Sequence, residues 1–388
     1  MLDPSTWEAP DLSRSSPQSP SCENHRMSAA SPDVPDDDLA LLPADLAQLG
    51  TAPPEAPSAG RIALGAGSMV LVLALLAWAL PWASGASWAE ILERLGALPG
   101  WALPAAAALG AGALFLETLT VRAALPGARV GAALQGHASS QAIALGVPGG
   151  TMIGMGAMAW ILRRSGLALP LVLTGLLLAS LVEMVVTSVL VPVLGLASYA
   201  LASILGAAPV ELPGTLWAAA LALVGALAAL AAVALVLRRD VLARLLVALR
   251  VGIPQEVGLV ILRQRDALVD LLRRRPLALL LPTLGARVLQ WLALVLAVEA
   301  VGAEVPLLLT VAIFALGRLL ALVPLTPGGA GITESVGAAA LVGLGVAPAE
   351  AATAMLVLLV TMLIVPLLAG IPATALAFAG PRRRAGSR

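Results

Sequence analysis

The chain has 388 residues, 59% of them hydrophobic and only 12% charged, with a mean hydropathy of +0.95. Soluble domains carry about 25% charge, so lipid is the expected solvent for most of this one. The 23 basic residues, all Arg, balance 23 acidic ones, the single Cys22 excludes an intrachain disulfide or cysteine metal cluster, and two His cannot build a zinc motif. From the N-terminus, residues 1–60 hold ten acidic residues against two Arg, together with ten Pro. Such a segment buries too little apolar area to offset its ordering entropy and reads as a disordered acidic tail. It lacks the basic start and apolar centre of a signal peptide.

A membrane-crossing helix needs about 20 mostly apolar residues. Stretches of that character fall at 62–82, 101–121, 168–190, 213–237, 277–299, 305–323, 331–346 and 351–377. The expectation is an all-α polytopic membrane protein with about eight transmembrane helices plus broken or re-entrant ones. The stretch 331–346 is short and reads as half of a broken helix. Residues 131–162 are interrupted by Pro148-Gly149-Gly150 and read as two half-helices that dip in and return; 192–206 reads as a partial span or outer hairpin.

The segment 238–276 carries nine Arg against four acids, with Leu and Val at helical spacing. It reads as amphipathic helix on the cytoplasmic face, joining halves at about 61–237 and 277–380 within a membrane domain of 61–380. The pairs Arg122 with Arg129 and Arg163 with Arg164, and the basic tail 381–388, also read as cytoplasmic. Both termini then lie on the cytoplasmic side, and the Arg, Ala, Gly and Leu excess, read as high-GC coding bias, makes a bacterial inner membrane the expected location.

Two segments match at an offset of 179 residues. Pro148-Gly149-Gly150 leads to Gly166, and Pro327-Gly328-Gly329 leads to Gly345; in each a further Pro, Pro170 or Pro348, follows soon after. On the charge-based orientation the halves run in opposite senses, an inverted repeat of the kind that places a site near the bilayer midplane. Pro removes a donor and Gly permits unusual backbone angles, so each motif breaks a helix. The helix restarting after the break turns free N–H groups toward it, a natural seat for a phosphate.

Ionisable residues inside spans default to functional hypotheses. Arg287, Arg318 and Glu183 lie within predicted spans, and Glu334 follows the second break. Arg318 and Arg287 are candidates to hold phosphate. Glu334 is a candidate partner for Arg318, or else for a headgroup amine or a proton; Glu183 is a candidate proton carrier or ion-pair partner. His137, beside the first break, is a candidate ligand contact or a satisfied core residue. The backbone of Pro148, Gly149, Gly150, Thr326, Pro327, Gly328 and Gly329 would line the same pocket. Glu117 and Arg122, five apart near a span end, read as interfacial snorkelling groups.

At Thr326-Pro327-Gly328-Gly329-Ala330-Gly331-Ile332-Thr333-Glu334 the chain resembles the transmembrane, flippase-like domain of lysylphosphatidylglycerol synthases. Pro148 to Gly166 fits the earlier break of that family, although the acidic residue usual after it is missing around Thr151 to Gly154. The resemblance covers roughly residues 60–380 and implies movement of an anionic or aminoacylated phospholipid between leaflets. Only ten residues follow position 378, so the cytosolic aminoacyl-transfer domain of the full synthases is not expected, and no enzymatic activity is expected unless the chain is a membrane glycosyltransferase, the lowest-ranked reading because the predicted outer loops carry no paired Asp. Without Lys there is no phosphate-binding G-x-x-x-x-G-K-[ST] loop. No cofactor is implied, and nothing points to nucleic acid. The expected partners are membrane phospholipids and a lipid-modifying enzyme; the competing readings are a secondary transporter of a polyprenyl-linked amphiphile and a non-catalytic accessory subunit.

Overall fold

A computed structural model describes residues 59–146, 150–207, 255–321, 326, 329–379 and scattered positions between 224 and 244. Every regular element among them is helical. Helix α1 (Ala59–Ser84) turns through 94° at Gly85 into the short α2 (Trp88–Gly96). Gly85 has φ 81°, a left-handed conformation that costs glycine little. Helix α2 starts on a capping box in which Ser87 and Glu90 satisfy each other's backbone N–H. Then follow α3 (Ala102–Ala124), α4 (Val130–Gly146), α5 (Gly150–Arg164), α6 (Leu169–Val185) and α7 (Val191–Ile204). Within the Arg-rich segment lies α8 (Gln255–Arg274), and after it come α9 (Pro276–Ala300), α10 (Leu307–Leu320), α11 (Ile332–Gly343), α12 (Pro348–Leu359) and α13 (Val365–Ala379).

Four continuous helices are long and apolar enough to cross a bilayer: Ala102–Ala124, Leu169–Ile204, Pro276–Ala300 and Pro348–Ala379. The bent pair α1–α2 raises the number to five among the described residues. Helix α11 is short, as expected for 331–346, while the expected span 305–323 is represented by the 14-residue α10, shorter than a crossing helix. The expected span 213–237 lies largely outside the described residues. One expectation is corrected: 192–206 is no hairpin, because α6 runs straight into α7 as part of a 36-residue helix.

A π-helical turn joins α6 to α7 at Val186–Leu190, and another joins α12 to α13 at Val360–Ile364. Each is followed by Val-Pro, at Val191-Pro192 and Val365-Pro366. Proline has no N–H and its ring crowds the carbonyl four residues back. A turn widened by one residue relieves that crowding and keeps the helix continuous. The sequences agree around both turns: Val186-Thr187, Leu190-Val191-Pro192 and Leu194 answer Val360-Thr361, Ile364-Val365-Pro366 and Leu368, at an offset of 174.

Packing follows the same correspondence. Helices α3 and α9 form the central pair, joined by the Thr120 and Thr283 hydroxyls at 2.9 Å. Helix α7 of the first half packs on α10 of the second, and α13 of the second packs on α4 of the first. Both crossings depend on a glycine. A methyl group added at Gly195 would lie 2.1 Å from Ala315 Cβ, and one at Gly370 would lie 2.1 Å from the Ala138 carbonyl oxygen. Small residues permit this close approach where the surrounding lipid gives helices no hydrophobic reason to associate. The α4–α5 hairpin is as tight, since a methyl at Gly150 would meet the Ile143 carbonyl at 2.2 Å.

Candidate functional site

Between the halves lies a cavity of about 600 Å³, walled by α3–α6 on one side and α9–α12 on the other. Its polar centre is Glu117 on α3, 8% exposed. Glu117 accepts hydrogen bonds from Arg287 on α9 at 2.6 Å, from His137 on α4 at 3.2 Å, from Gln290 at 3.3 Å and from Gln141 at 3.4 Å. Arg287 also donates to Gln290 at 2.5 Å and to Glu183 on α6 at 3.3 Å. Two carboxylates thus bracket one guanidinium, which offsets the desolvation of bringing these charges out of water. The snorkelling reading of Glu117 is overturned: its carboxylate turns inward onto Arg287 instead of reaching for the interface.

Arg318 stands apart. It ends α10 and lines the cavity, yet among the described residues no carboxylate comes within ion-pair distance of it. Its Nε–H is buried without a partner, and its side chain touches the Met362 sulfur at 4.0 Å. The expected clamp between Arg318 and Glu334 does not form. Glu334 instead accepts the Gly331 N–H at 2.6 Å and so caps the start of α11. Gly331 makes this possible with φ 88°, since a side chain there would strain the backbone and strike Leu75 Cβ at 2.9 Å. The N-terminus of α11, the expected seat for a guest anion, is thus already occupied by a carboxyl group of its own.

Of the sequence-predicted residues, Arg318, Glu334, Arg287, His137 and Glu183 line this one cavity. Thr326 is buried away from it, with an unpartnered hydroxyl. Gly329, at φ 75°, packs on Ala321, and Gly150 serves the α4–α5 contact, so neither opens onto the cavity. Pro148, Gly149, Pro327 and Gly328 lie outside the described residues. Sequence reasoning missed Glu117, Gln141 and Gln290 as members of the cluster. Gln290 was detectable as the i+3 neighbour of Arg287 on one helical face.

Apolar helices that turn their ionisable side chains inward onto a shared, ion-paired cavity define a polytopic helical membrane protein. The family described as lysylphosphatidylglycerol synthase TM region matches residues 65–370, and the chain belongs to it. No curated protein matches the chain. Family and apolar helices together make this an integral membrane protein of lipid-related function.

Proposed function

We propose that this chain translocates an anionic phospholipid, plain or aminoacylated, between leaflets, holding its headgroup in the cavity between the halves. The observation that carries this reading is Arg318. A guanidinium has five donors and no acceptor, and here it lines the cavity with no carboxylate in ion-pair contact among the described residues and its Nε–H unpartnered. A phosphodiester supplies the charge and the paired oxygens that match it. Arg287 is assigned a structural part, because Glu117, Glu183 and Gln290 already engage it.

The same reading takes about eight crossings, inverted halves and cytoplasmic termini in a bacterial inner membrane. It makes the chain a carrier and not an enzyme, served by a separate lipid-modifying partner. The test is exchange of labelled phosphatidylglycerol in proteoliposomes. The intact chain should speed exchange, Arg318→Ala should return it to the protein-free rate, and Arg318→Lys should recover part of it. A wild-type rate no faster than bare vesicles removes the reading, and an unimpaired Arg318→Ala removes the site. Co-purification with a lipid-modifying enzyme in the absence of exchange would favour an accessory role.

A further inference from the structure

The two π-turns are alike in sequence and backbone but not in chemistry. The Thr361 hydroxyl donates to the Ala106 carbonyl of α3 at 2.9 Å and is thereby satisfied. The Thr187 hydroxyl is 7% exposed, lines the cavity and finds no partner among the described residues. Burying a hydroxyl without a hydrogen bond is costly, and this one has a cavity before it.

Its surroundings accept hydrogen bonds rather than donate them. Pro192 has no N–H to offer the carbonyls of Thr187 and Ser188, five and four residues before it. One turn earlier Glu183 also lines the cavity, with 44% of its side chain exposed and only a 3.3 Å contact to Arg287. Ser180 follows on the same face. In the second half the positions 174 residues on from Ser180 and Glu183 are Ala354 and Val357, 1% and 0% exposed in an apolar core. The second-half turn lines the same cavity and its Pro366 likewise has no N–H for the carbonyls of Thr361 and Met362, but only the first-half wall adds a carboxylate and a second hydroxyl, in the cavity that also holds the donor-only Arg318.

We propose that the π-turn at Val186–Leu190 is a second subsite of this cavity, which reads O–H or N–H donors on the guest's headgroup, with Thr187 as its specificity-determining residue. This rests on the translocation reading above. The headgroup class it selects is a phosphodiester whose substituent carries a hydroxyl or an N–H, over one whose substituent carries neither. Sites built to bond such a group reject the analogue that lacks it, because their own polar atoms are then left unpaired.

Phosphatidylglycerol and phosphatidylmethanol test this cleanly, since both are anionic phosphodiesters and only the first has headgroup hydroxyls. In proteoliposomes of the full chain, phosphatidylglycerol should exchange at least about fivefold faster, the factor equivalent to a single hydrogen bond of about 1 kcal/mol. Thr187→Val should bring that ratio close to one, Thr187→Ser should keep it, and Thr361→Val should leave it as in the wild type. A wild-type ratio near one, or a ratio undiminished in Thr187→Val, overturns the subsite while translocation stands. Exchange of neither lipid above the protein-free rate overturns the translocation reading and the subsite with it.

Discussion

The two halves of the membrane domain share a scaffold and divide the chemistry. Arg318 stands nine residues before Pro327, and the position nine before Pro148 is Ser139, fully buried with an unpartnered hydroxyl. Glu334 stands seven after Pro327, and the position seven after Pro148 is Met155. Glu183 and Ser180 answer Val357 and Ala354. The donor therefore comes from the second half and the acceptor wall from the first. A repeat constrains backbone and small-residue contacts, whereas polar side chains in lipid are costly and persist where a site uses them.

The sharpest division within the site is between its two arginines. Arg287→Ala strands the Glu117 carboxylate in a buried position and should destabilise the protein by about 3–5 kcal/mol. Arg318→Ala removes a buried cation that has no carboxylate in ion-pair contact and lies near Arg287, and should leave stability near the wild-type value. Thermal unfolding in detergent reads both. Equal losses would show that Arg318 has a partner in the folded state.

Next in size are the twin glycine crossings. Gly195→Ala and Gly370→Ala overpack the two helix crossings that answer each other between the halves and should each cost about 1–3 kcal/mol. At Gly195 the obstacle is a side-chain atom, Ala315 Cβ, so Ala315→Gly should restore the loss. At Gly370 the obstacle is the Ala138 carbonyl, and Ala138→Gly should not. Unfolding measurements on the four single and two double variants separate these cases; rescue at both crossings would show them to be chemically alike.

The smallest effect expected is at the paired threonines. Thr361→Val loses a hydrogen bond and should cost about 0.6 kcal/mol, the average for such bonds inside a membrane. Thr187→Val loses none and should be neutral or mildly stabilising. The reverse order would place the unpartnered hydroxyl in the wrong half.

Much of this was legible in the sequence, because lipid demands long apolar runs and leaves few charges to interpret. The spans near 101–121, 277–299 and 351–377, the broken segments and the gathering of Arg287, Arg318, Glu183, Glu334 and His137 all follow from that. Glu117 was misread because proximity to a span end resembles snorkelling, and only the crossing of α3 with α9 brings Arg287 onto it. Glu334 was misread because an acid three residues into a helix is also a cap, and the paired Gly329 and Gly331 let it fold back. The continuity of α6 with α7 was hidden by Pro192, which reads as a breaker unless a π-turn absorbs it. The signal that would have exposed it, Val-Thr before Leu-Val-Pro recurring as Val-Thr before Ile-Val-Pro, was present in the chain.

The crossed packing of the halves also bears on how the protein is made. Helix α7 rests on α10 and α4 rests on α13, so each half holds a surface that fits only the other. When the ribosome has released the first half, Gly195 still lacks Ala315 and Ala138 still lacks Gly370. The early helices must wait in the bilayer, inserted but unmated, until the last helix arrives. Synthesis of the halves as separate polypeptides should therefore yield protease-sensitive fragments alone and a resistant complex on co-expression.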